Sequence, residues 1–104
     1  NLFENFVVIE CLKHKYNFNK NFDIYFFRDS HHNEIDLIIE YADSFKCIEI
    51  KCSETPRMDF VKELTERKKI FKKSEGFIVS NSGKNINAGT DIKMLNWNKI
   101  TEYL

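Results

Sequence analysis

Three ionisable residues, Asp36, Glu49 and Lys51, stand where their types and spacing could do chemistry, inside residues 34–51 (Glu-Ile-Asp-Leu-Ile-Ile-Glu-Tyr-Ala-Asp-Ser-Phe-Lys-Cys-Ile-Glu-Ile-Lys). Apolar and polar positions alternate in both halves around a short polar segment, which predicts a β-hairpin. A turn centred between Ala42 and Asp43 sets Leu37 opposite Ile48, Ile35 opposite Ile50 and Asp36 opposite Glu49. Ile35, Leu37, Ile39, Ile48 and Ile50 then share one face, and Asp36, Ile38, Glu40, Cys47, Glu49 and Lys51 the other. A slip of one residue would scatter the apolar set. Opposed Cβ atoms lie roughly 4.5–5.5 Å apart, where two carboxylates repel unless positive charge sits between them. A divalent cation and the Lys51 ammonium would supply that charge. The plainer alternative is a solvated hairpin face, but Ile38 and Cys47 on the same face are out of place there.

The elements that must position these residues follow in chain order. Leu2, Phe3, Phe6, Val7, Ile9, Leu12 and Tyr16 have the spacing of an amphipathic helix over 2–16, with Glu4 and Glu10 close to its apolar side. An Asn/Lys linker at 17–21 precedes a strand by composition at 23–28, and the polar 29–33 predicts a hairpin loop that sets Arg28 opposite Glu34. After the central hairpin, Thr55-Pro56 reads as an N-cap and first helical position. Met58, Val61, Leu64 and Phe71 carry that helix to an end near 74–76. A short strand at 77–80, a loop at 81–90, a last strand at 91–95 and a short helix at 96–104 with Trp97, Ile100 and Leu104 on one side complete the chain. The expectation is one α/β (α+β) domain with a mixed central sheet flanked by helices, in the order α-β-β-β-α-β plus an extra C-terminal strand and short helix.

The 104 residues suffice for one domain with a modest core, and 42% hydrophobic residues including ten Phe favour a folded globule. No apolar run approaches the roughly 20 residues that cross a bilayer, so no membrane partner is expected. Three cysteines, Cys11, Cys47 and Cys52, do not suit a disulfide scaffold, and with no signal peptide or N-glycosylation acceptor a cytoplasmic location is expected. A start at Asn1, with no initiator Met and already in helix-like sequence, suggests a fragment of a longer polypeptide. Sixteen basic and sixteen acidic residues cancel, which argues against coating nucleic acid by charge alone. Residues 1–56 nevertheless carry ten acids and six bases, and 57–73 carry seven bases and three acids, so an acidic pocket can adjoin a basic rim.

The Asp36…Glu49-Ile50-Lys51 constellation after a helix bearing Glu4 resembles the PD-(D/E)XK nuclease superfamily, the restriction-endonuclease-like fold. Leu-Phe-Glu-Asn-Phe-Val-Val at 2–8, Phe-Phe-Arg-Asp-Ser at 26–30, Asn-Glu-Ile-Asp-Leu-Ile-Ile at 33–39 and Ile-Glu-Ile-Lys at 48–51 are similar to one group within it. That group is the C-terminal nuclease-like domain, of unassigned function, that follows an AAA+ ATPase module in bacterial and archaeal proteins. The resemblance implies Mg²⁺- or Mn²⁺-dependent endonucleolytic cleavage of DNA, with the ATPase module of the same chain as a partner, and leaves oligomeric assembly open. Asp36, Glu49 and the backbone carbonyl of Ile50 would hold the ion, in keeping with the preference of Mg²⁺ for a few oxygen ligands plus water. Lys51 would orient the attacking water or offset developing negative charge. Glu4 would be an outer or second-ion carboxylate, with Glu10 its rival and Glu34 a substitute ligand.

Arg28 either holds a substrate phosphate or pairs with Glu34. Lys68 and Lys72, in Arg67-Lys-Lys-Ile-Phe-Lys-Lys73, either touch a DNA backbone or form a solvated helix face. The Gln-x-x-x-Tyr element of several DNA-processing members is missing, since the chain has no Gln and shows Glu66-Arg-Lys-Lys-Ile70 on the second helix. A catalytically silent DNA-binding or regulatory module on the same fold is therefore the second expectation. Ser82-Gly83-Lys84 lacks the spacing of a phosphate-binding loop, and Cys47, Cys52, His14, His31 and His32 lack that of a zinc site.

Overall fold

The computed structural model describes residues 2–52, 57–81, 85–89 and 91–104. Helix α1 (Leu2–Asn17) leads into strands β1 (Asp23–Arg28), β2 (Glu34–Glu40) and β3 (Phe45–Lys51). Helix α2 (Met58–Arg67) and a 3₁₀ turn (Lys68–Ile70) precede β4 (Ser74–Ser80), β5 (Ile86–Asn87), β6 (Ile92–Asn96) and a C-terminal 3₁₀ helix (Trp97–Tyr103). The six strands form one sheet in the order β1-β2-β3-β4-β6-β5. Pairing is antiparallel for β1/β2, β2/β3 and β5/β6, and parallel for β3/β4 and β4/β6. The fold is thus a mixed α+β sheet, its parallel centre reached by the crossover through α2.

From Leu37 to Phe45 the hairpin has the expected register, with Leu37 opposite Ile48, Ile38 opposite Cys47 and Glu40 opposite Phe45, but the ladder ends at Leu37 and does not include the expected Ile35/Ile50 and Asp36/Glu49 pairs. The loop before it closes around Asp29, whose Oδ1 accepts from the backbone N–H groups of His31 and Asn33 at 2.9 Å each. A bond from the Asn33 side chain, and after it these backbone bonds, hold the Asp29 carboxyl below its ordinary value. One face of the sheet packs Leu37, Ile39, Ile48, Ile50, Phe77 and Val79 against Val7 and Cys11 of α1 and Ile100 of the C-terminal turn. The other packs Ile38, Cys47 and Ile78 against Val61 and Leu64 of α2. With both faces covered, the central strands are apolar almost throughout.

Several expectations shift. Ile35 lies with Ile38 and Cys47, not with Leu37, because the β1/β2 register slips between Tyr25 and Phe27. Asp36 and Leu37 together lie opposite Phe26, and such a bulge reverses the alternation beyond it. Helix α2 stops at Arg67 and β4 begins at Ser74. Phe71 packs on Phe27 and Phe45 at centroid distances of 5.1 and 5.0 Å, and the Ser74 hydroxyl donates to the Lys68 carbonyl at 3.1 Å. The chain therefore turns back onto the sheet before it reaches Gly76. That glycine lies inside β4, where a Cβ would sit 3.0 Å from the Leu64 side chain, so its role is close helix-to-strand packing.

The expected loop at 81–90 contains β5, a two-residue edge strand. On α1 only Val7 and Cys11 are fully buried; Leu2, Phe6, Ile9 and Tyr16, expected on the core side, are exposed. The Thr55-Pro56 cap and Ser82-Gly83-Lys84 fall outside the described residues.

Candidate functional site

The bulge that displaces Ile35 also aims Asp36. Its Oδ2 accepts a hydrogen bond from the Ile50 backbone N–H at 2.8 Å, so a carboxylate takes the place of a ladder carbonyl beyond the Leu37/Ile48 pair. A strand residue turns its N–H and its carbonyl towards the same neighbour. The Ile50 carbonyl is therefore directed to the same side of β3 as Asp36.

Glu49 is next along β3 and faces α2, with only 5% of its surface exposed. Its Oε1 is buried without a hydrogen-bond partner. Arg67 Nη1 stands 3.8 Å from Oε1, and Lys51 Nζ stands 4.0 Å from Oε2. Burial, and after it the Asp36 charge, push the Glu49 carboxyl up to about 7 against the opposing pull of Lys51 and Arg67. A hydrogen bond with the Asp36 side chain favours the protonated Glu49 carboxyl further. Lys51 is steadied from α2, its Nζ 4.9 Å from the centre of the Phe60 ring.

Asp36 also lines a groove of about 140 Å³ with Glu4 of α1, Phe26, Arg28 and Glu34. Asp36, Glu49 and Lys51 thus converge, while Glu4 shares with Asp36 a groove that neither Glu49 nor Lys51 lines. Glu10 pairs with Lys13 at 3.5 Å and does not line the groove. Arg28 Nε meets Glu34 Oε1 at 2.9 Å, an exposed pair of the kind that contributes at most about 1 kcal/mol. Lys68 lies elsewhere: its Nζ is 3.4 Å from the Ser74 carbonyl and 3.8 Å from Asp91 Oδ2. Ser74 pairs with Phe45, the first residue of β3, whereas Lys51 pairs with Ser80 at its end. Lys72 is exposed beyond the same turn. A larger cavity, about 250 Å³, is lined by Asp23, Glu40 and Tyr41 near the hairpin turn and contains no basic residue.

Arg67 and Phe60 are the contributors that the sequence pattern concealed. Both belong to a helix whose buried stripe runs through Val61 and Leu64, and three residues further along that stripe comes Arg67. A base continuing an apolar stripe is the signal that marks it as inward-facing.

The donor set suits a small hard cation: two carboxylates in mutual contact, a main-chain carbonyl directed to the same side of β3 as Asp36, and a buried carboxylate oxygen with no hydrogen bond. Among the described residues no three His, Cys, Asp or Glu side chains gather as they would around a metal ion, so the protein's side chains offer at most this pair of carboxylates. Such an ion would be held by few protein ligands and several waters.

The sheet, its two helical layers and this carboxylate pair define a mixed α+β domain with a candidate oxygen-ligand centre at the mouth of a hairpin. The chain belongs to the family described as Domain of unknown function (DUF4143), which matches residues 1–100. Comparison with curated proteins and with solved structures finds no significant match. No helix among the described residues is long and apolar enough to cross a membrane.

Proposed function

We propose that this domain is a Mg²⁺- or Mn²⁺-dependent DNA endonuclease of the restriction-endonuclease-like kind, attached to an AAA+ ATPase module in its full-length chain. The observation that carries the reading is the Asp36–Ile50 hydrogen bond beside a buried Glu49 whose Oε1 lacks a hydrogen bond. Element order supports it as well, with α1, three antiparallel strands, α2 and a parallel strand in sequence.

Asp36, Glu49 and the Ile50 carbonyl would hold the ion, which when bound supplies Lewis acidity and charge neutralisation at the phosphodiester. Asp36 is held in its rotamer by the Ile50 N–H, so this ligand is oriented before the ion arrives. Lys51, braced on Phe60, directs its ammonium over Glu49, where it orients the attacking water and offsets charge growing on the phosphate oxygens. Glu4 adds a carboxylate at the groove rim.

Calorimetric titration with Mn²⁺ at pH 8 tests the site. The protein binds the ion, Glu49→Ala and Asp36→Ala bind at least tenfold more weakly, and the same variants lose cleavage of plasmid DNA. A parent protein that binds no Mn²⁺ removes the reading.

One observation favours the silent, regulatory alternative. Leu2, Phe6, Ile9 and Tyr16 form an exposed apolar stripe on α1, which suits a helix that docks on another protein surface. Metal binding without cleavage, together with association that survives Asp36→Ala, would select that alternative.

A further inference from the structure

The neutralisation of Glu49 is incomplete in an informative way. A buried arginine–carboxylate pair that is purely structural closes to charge-assisted hydrogen bonds of about 2.7–2.9 Å, often two at once. Arg67 instead stops at 3.8 Å from Oε1, Lys51 stops at 4.0 Å from Oε2, and Oε1 accepts no hydrogen bond from either. The two bases balance the charge without occupying the oxygen. Arg67 is also the last residue of α2, and its side chain is 29% exposed, so a change of rotamer carries the guanidinium to solvent without unpacking the helix.

We propose that Arg67 is a displaceable substitute for the cation: it neutralises Glu49 in the metal-free protein, and on metal entry it swings out to grip a phosphate of the DNA strand. The inference rests on the metal-site reading above. An ion held by Asp36 and Glu49 would face the guanidinium at close range in a poorly solvated place, and like charges there repel strongly. The released group stays at the rim of the same site, and its planar fork matches phosphate oxygens. One residue thus takes two partners in turn, a carboxylate and then a phosphate.

The test compares parent, Arg67→Ala, Arg67→Gln and Arg67→Lys at pH 8. Mn²⁺ affinity is measured by calorimetry, and affinity for a short single-stranded DNA oligomer is measured by fluorescence anisotropy with Ca²⁺ present. Removing the competing charge tightens Mn²⁺ binding about fivefold in Arg67→Ala and Arg67→Gln, while oligomer binding weakens by about the same factor. Arg67→Lys keeps parent-like metal affinity and recovers part of the oligomer affinity. Arg67→Gln keeps the side-chain length, so it stands in if Arg67→Ala fails to fold. If the parent binds Mn²⁺ and the neutral variants bind it no more tightly, the substitution idea is overturned while the metal site stands. Unchanged oligomer affinity overturns the phosphate role. A parent that binds no Mn²⁺ overturns site and inference together.

Discussion

Glu49 is a carboxyl kept where carboxylates are costly. Its burial and the Asp36 charge raise it to about 7, above the ordinary value of 4.5 that the unfolded chain retains. The folded protein therefore binds this proton more tightly than the unfolded one. Its contribution to stability is fully present below about pH 4.5 and is lost as pH rises through about 7. Metal-free protein should melt at a lower temperature at pH 8 than at pH 5, and Glu49→Gln, which cannot ionise, should flatten that slope and stabilise the pH 8 form by about 1–3 kcal/mol. Melts in EDTA across this range check it, and Mn²⁺ at pH 8 should restore what ionisation removed. A Glu49→Gln variant with the parent's pH slope would show that the strain resides in another group.

At the scale of elements, the bulge in β2 is what turns a hairpin into a site. An uninterrupted ladder would leave Asp36 on the α2 face and Ile35 beside Leu37, as the alternation in 34–51 implies. The extra residue opposite Phe26 sends Ile35 to the other layer and lets Asp36 bond to the β3 backbone. Asp36→Ala should cost about 1–2 kcal/mol, because it leaves the Ile50 N–H without its acceptor. Asp36→Asn keeps an acceptor in place and should cost less than half as much, though it removes a ligand charge. Urea denaturation of both variants measures the difference, and equal losses would mean that the hydrogen bond is incidental to the bulge.

The same element marks the limit of what the sequence reveals. Residues 37–40 and 45–48 pair as their polarity pattern demands, since a slip there would expose the core. The bulge depends on how β1 meets β2, and no pattern within either strand records that meeting. Arg67 was hidden for a related reason: a base among other bases reads as solvated until its helix is laid on the sheet.

For the molecule as a whole, the informative asymmetry lies in α1. Both sides of this helix are apolar, yet the sheet covers one of them. Val7 is completely buried, while Ile9, two residues on, is 48% exposed and Leu2 is 88% exposed. Composition made the two sides indistinguishable, because Val7 and Ile9 are equally apolar; only the single sheet beneath decides which one is covered. If the outer side is a docking face rather than misplaced core, the two positions must answer differently to substitution. Val7→Ala should lower stability by about 1–2 kcal/mol through lost burial and the space it leaves. Ile9→Lys should change stability by no more than about 0.5 kcal/mol while weakening association with any partner that covers the stripe. Thermal melts beside light scattering separate the two effects. Were Ile9→Lys to unfold the protein, the outer side of α1 would be part of this domain's own core, and the case for a docked partner would fall with it.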